Sequence, residues 1–119
     1  MKNLAWMIVL LLTVNVAMAQ EAPKDSYTLN GDQIDAVLYH DNGVVAQKGS
    51  YTKTGKLDGK WLSFNPAGTL TAEAYYNKGQ KVGTWTFYNG NTKKEVTYTD
   101  SRIGEVTTWT LTDSRVVSN

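Results

Sequence analysis

The sequence predicts an all-β chain, an antiparallel meander of about four β-hairpin repeats, on three observations. Gly59-Lys60-Trp61 recurs as Gly83-Thr84-Trp85 twenty-four residues later. A tyrosine follows each turn glycine by eight residues: Tyr51 after Gly43, Tyr76 after Gly68 and Tyr98 after Gly90. From Tyr27 onward no stretch sustains the i, i+3, i+4, i+7 apolar spacing of a helix, while Thr, Val, Tyr and Trp alternate with Gly- and Asn-containing turns.

The first nineteen residues read as a signal peptide. Lys2 gives a short positive start, Leu4 to Val14 is an apolar run of eleven residues, and Ala17-Met18-Ala19 is a small-x-small cleavage site. The run is shorter than the roughly 20 residues a membrane-spanning helix needs. Residues 20–26 are polar, contain Pro23 and read as a flexible lead-in, which leaves 27–119 as the folded domain. The expected location is periplasmic or secreted.

Composition narrows the function. The chain has 119 residues, 41% hydrophobic and 11% aromatic, enough for one packed domain. Setting Lys2 aside leaves eleven basic residues against eleven acidic ones, and no cluster of either sign. Binding to nucleic acid would require such a basic cluster. The absence of cysteine excludes disulfides, a thiol nucleophile, a cysteine metal site and a lipid-carrying cysteine.

The repeating unit is Gly-x-Trp-x-x-aromatic, a turn, a second strand ending in Tyr, and a Gly turn into the next unit. Gly59, Gly83 and Gly104 open successive units. The aromatic pair is Trp61 with Phe64, then Trp85 with Tyr88, then more weakly Val106 with Trp109; in the first unit Ala36 takes the Trp place and Tyr39 the second. Asp41-Asn42-Gly43 and Asn89-Gly90 tolerate the positive φ of tight hairpin turns, and Asn65-Pro66-Ala67-Gly68 suits a slightly longer loop. Along the second strands Leu70, Ala72, Ala74 and Tyr76 alternate with Thr69, Thr71, Glu73 and Tyr75, one face packed and one wet. The first strands place rings on both faces, so Trp61, Phe64, Trp85, Tyr88 and Trp109 are either repeat-to-repeat core or a candidate interaction surface.

Catalytic chemistry finds little support. His40 is the only histidine and sits beside a turn, where it reads as a solvated residue. Glu73 and Glu95 occupy equivalent places and read as solvated residues in cross-strand charge pairs with Lys48 and Lys93. No phosphate loop, nucleophile elbow or metal-ligand cluster is present, so no cofactor and no metal are expected.

The run from Gly59 to Gly79 resembles the MORN-repeat variant, whose pattern is Gly-x-Trp-x-x-Tyr-x-x-x-Gly followed by a charged strand, Tyr and a second Gly. The resemblance covers about residues 34–111 and is strongest over 58–100. It implies a meandering open sheet and a noncatalytic role in protein interaction or envelope scaffolding; antitoxin-like members of toxin–antitoxin pairs carry the same repeats. Two further readings stay open: a small-ligand-binding barrel of the lipocalin or avidin type, suggested by Gly-x-Trp, and an antitoxin or immunity protein.

Overall fold

The computed structural model describes residues 23–112 and 115–118, side chains through 111. The expected signal peptide lies outside the described residues. The fold is one antiparallel sheet of ten strands: β1 (Ser26–Asn30), β2 (Gln33–Tyr39), β3 (Val45–Thr52), β4 (Leu57–Phe64), β5 (Leu70–Asn77), the two-residue β6 (Gln80–Lys81), β7 (Gly83–Asn89), β8 (Thr92–Thr99), β9 (Arg102–Thr112) and β10 (Arg115–Ser118). Strands neighbour one another in chain order except that β6 clips onto the end of β5 and β7 pairs with β5, and β1 and β10 stand at opposite edges of the described sheet. The sheet is an open meander, and the described residues enclose no interior for a barrel-type ligand.

The four expected hairpins are β2–β3, β4–β5, β7–β8 and β9–β10. To these the structure adds β1, which begins at Ser26, within the stretch read as lead-in, and pairs along β2 from Ser26 opposite Val37 to Asn30 opposite Gln33. Asp25 accepts the Tyr39 backbone N–H at 2.9 Å, so the chain already follows the sheet before β1 starts.

Turn chemistry explains the joints. Lys78-Gly79 and Asp100-Ser101 have positive φ at both central residues, the geometry whose twist matches that of the flanking strands. Asn65 ties its own loop, its side-chain oxygen accepting from Ala67 N and Thr69 N. Neighbouring turns are also joined to each other. His40 Nε2 donates to the Phe64 carbonyl at 2.7 Å and Asn42 Nδ2 to that of Pro66 at 2.9 Å. His40 is therefore a half-buried link between units rather than a solvated residue.

Because the sheet has one layer, its core is a row of side chains across one face. Cross-strand pairing sets Ala36 against Gly49, Trp61 against Ala74, and Trp85 against Val96, with Val106 opposite Val96. Ala36, Trp61, Ala74, Trp85 and Val96 are the buried hydrophobic residues among those described. Large indoles alternate with small neighbours, and the Trp61 ring lies over Gly49 of the adjacent strand, covering surface that a second layer would otherwise cover.

Candidate interaction face

Each indole joins two repeats. Trp61 Nε1 donates to the Ser50 carbonyl at 2.9 Å and its ring meets the Tyr51 ring edge-on at 5.0 Å. Trp85 does the same one unit on, donating to the Tyr75 carbonyl at 3.0 Å and meeting Tyr76 at 5.1 Å. In both cases the tryptophan reaches back to the tyrosine that ends the preceding unit and to the carbonyl just before it. The second joint carries an addition: Lys81 Nζ lies 5.1 Å from the Trp85 ring and 5.3 Å from that of Tyr98. Burial, and secondarily Tyr98, holds the Tyr76 hydroxyl above its ordinary pKa.

The five aromatic residues singled out in the sequence fall into different environments. Trp61 and Trp85 are 5% and 7% exposed and belong to the core row. Phe64 stands opposite Leu70 at a bulge, half-buried, its carbonyl taken by His40. Tyr88 and Trp109 both face Lys93 across neighbouring strands on the reverse face, and Lys93 Nζ lies 5.9 Å from the Trp109 ring. Trp109 Nε1 is buried without a hydrogen-bond partner among the described residues.

Other residues complete the apolar face. Phe87 lies opposite Ala72, 6.1 Å from the Trp85 ring, and remains 36% exposed. Between Trp61 and Phe87, over Ala72 and Ala74, runs a trough of about 370 Å³; a second hollow, of about 530 Å³, lies beyond Phe87 beside Lys94 and Val96. Tyr27 and Leu29 at one end, opposite Ala36 and Ile34, and Ile103 and Val106 at the other, opposite Tyr98 and Val96, are exposed. The strand period puts Phe87 on one face with Trp85, where the previous unit has Ser63, but it is not among the candidate surface residues singled out in the sequence.

Strand carboxylates are confined to one face, whereas Lys81 and Lys94 lie on the apolar one. The strand carboxylates Asp35, Glu73, Glu95 and Glu105 pair opposite Ser50, Leu62, Thr86 and Thr97, all on the polar side. Lys93 pairs with Glu95 along its own strand at 3.3 Å, whereas Lys48 faces Leu62, so the expected cross-strand charge pairs are not formed. Asp58 accepts from the Lys78 backbone N–H and from Gln33 Nε2, Asp35 from Ser50 Oγ and Asn30 Nδ2; these bonds hold both carboxyls below their ordinary pKa. No group of three or more potential metal ligands occurs among the described residues.

The family model of the MORN repeat variant matches residues 35–53 and 57–78, which span the β2–β3 and β4–β5 hairpins. No curated protein and no solved structure gives a significant match.

Proposed function

The chain carries MORN-variant repeats, and from that premise we propose that it is a noncatalytic, exported binding module that offers the apolar face of its sheet to a protein partner. The observation that supports this is the uncovered face itself. A one-layer sheet leaves Tyr27, Leu29, Phe87, Ile103 and Val106 exposed around a buried indole row, with an open trough between Trp61 and Phe87 and no strand carboxylate beside them. Contiguous apolar surface free of carboxylates favours a protein partner over a polar small molecule. In this reading Trp61 and Trp85 shape the face from beneath, and Phe87 makes the contact. Export rests on Lys2, the Leu4–Val14 apolar run and the Ala17–Ala19 site. The test is site-specific photocrosslinking from position 87 in cells, with position 88 on the reverse face as control; adducts from both positions alike, or from neither, would reject it.

A further inference from the structure

We propose that β1 is a self-pairing edge through which two copies form one continuous sheet, a contact separate from the apolar trough. Among the described residues β1 is the outermost strand at its end of the sheet, and its five residues Ser-Tyr-Thr-Leu-Asn carry no charge, no proline and no bulge. Edge strands of soluble proteins are ordinarily blunted by one of those devices, and this one is not.

The register is specific. The Gly31-Asp32 loop is a two-residue hairpin turn with Gly31 at φ 61°, closed by Asn30 opposite Gln33. In such a hairpin the closing pair is hydrogen-bonded and the pattern alternates from there. Asn30, Thr28 and Ser26 therefore turn their backbone groups toward β2, and Tyr27 and Leu29 turn theirs outward. An antiparallel second β1 with its two-fold axis at Thr28 sets Tyr27 against Leu29 of the second copy, twice, so the outward N–H and C=O groups of both strands meet in pairs.

Side chains agree with that register. Tyr27 and Leu29, 59% and 69% exposed, lie opposite Ala36 and Ile34 on the apolar face, so each would cover the other's counterpart across the axis. On the polar face Thr28 meets Thr28, Ser26 meets Asn30, and Lys24 comes level with Asp32 of the second copy. Within its own copy Asp32 has only a 3.7 Å contact with Lys53 and is fully exposed. Lys24 is exposed and has no ion pair among the described residues. Asp25, the charge nearest β1, is already held by the Tyr39 N–H. A different offset would lose the apolar pairing or place Lys24 away from Asp32. The contact is isologous, and because it is one short strand wide it forms a weak, concentration-dependent dimer.

The absence of native cysteine makes the test direct. Thr28→Cys places two thiols across the axis in a non-hydrogen-bonded pair, about 4.5 Å between Cα atoms, within the range a disulfide spans. Ser26→Cys, on the same face, stands four positions out of register with its own copy. The purified protein should sediment as a reversible monomer–dimer mixture, and Thr28→Cys should oxidise to a covalent dimer at least about tenfold faster than Ser26→Cys. Lys24→Glu and Asp32→Lys should each raise the dimer Kd about tenfold, and the double reversal should restore it. A protein that stays monomeric at several hundred micromolar, equal oxidation of the two cysteine variants, or a double reversal no better than the singles would each overturn the proposal.

Discussion

Gly49 lies beneath the indole of Trp61 so closely that an added Cβ would stand 2.3 Å from Cδ2 and 2.5 Å from Cε2 of the ring. Its backbone does not require glycine, since φ is not positive there. The missing side chain makes room for the ring, which can then reach the Ser50 carbonyl and Tyr51. Gly49→Ala should displace Trp61 and destabilise the fold by about 1–3 kcal/mol, read as a lower urea midpoint together with a red-shifted tryptophan emission. Unchanged stability would mean that the ring moves aside at no cost.

Both indole joints share a carbonyl bond and a tyrosine edge contact, and the Trp85 joint, which adds Lys81, Phe87 and Tyr98, should be the stronger of the two. Trp61→Ala and Trp85→Ala should each cost about 3–5 kcal/mol, a large share of the roughly 5–15 kcal/mol that holds a small domain together. Phenylalanine at either position should recover much of the loss and leave a deficit of about 1 kcal/mol from the carbonyl that loses its N–H partner. Calorimetry of the four variants measures this.

The turns should contribute independently of the core. His40→Ala removes the bond to the Phe64 carbonyl and should cost about 1 kcal/mol. The effect should appear as faster amide exchange in the Asn65–Thr69 loop with the β7–β8 hairpin unaffected.

Acid should weaken the first two repeats through Asp58 and Asp35. Their folded pKa values lie below the unfolded ones because each accepts two hydrogen bonds, Asp58 chiefly from the Lys78 N–H and Asp35 chiefly from Ser50. A depressed carboxyl stabilises the fold above its unfolded pKa, about 3.9, and that contribution is lost as pH falls through the folded value. Denaturant midpoints should therefore drop below about pH 4. Asp58→Asn should be less stable at neutral pH and show a shallower acid slope.

The sequence disclosed the repeat because period and turn chemistry are local. Gly43, Gly68 and Gly90 have positive φ as their turns require, and the tyrosines eight residues on all pack against the core row or within it. Ala36 was legible as the first unit's occupant of the tryptophan place and is indeed buried at 1% exposure. Relations between strands were hidden. Gly49 gave no turn signal, since its role appears only when Trp61 of the next strand is laid over it. β1 does not share the repeat pattern, so nothing periodic announced it. Burial of Trp61 and Trp85 could not be told from exposure, because a period of two says which residues share a face and not which face is covered. Phe87 stayed out of the candidate surface for a related reason: it shares a face with Trp85 but breaks the repeat at the Ser63 place, and a search for similarity passes over differences.

That break carries the central claim, that the apolar face around Phe87 meets a protein partner. Phe87 and Tyr88 are adjacent, similarly exposed at 36% and 37%, and on opposite faces of one strand. Replacing each in turn with a photoreactive benzoylphenylalanine and irradiating intact cells compares the faces with almost nothing else changed. The account predicts a discrete protein adduct from position 87 and none from position 88. An adduct from position 88 alone, or equal adducts from both, would contradict it.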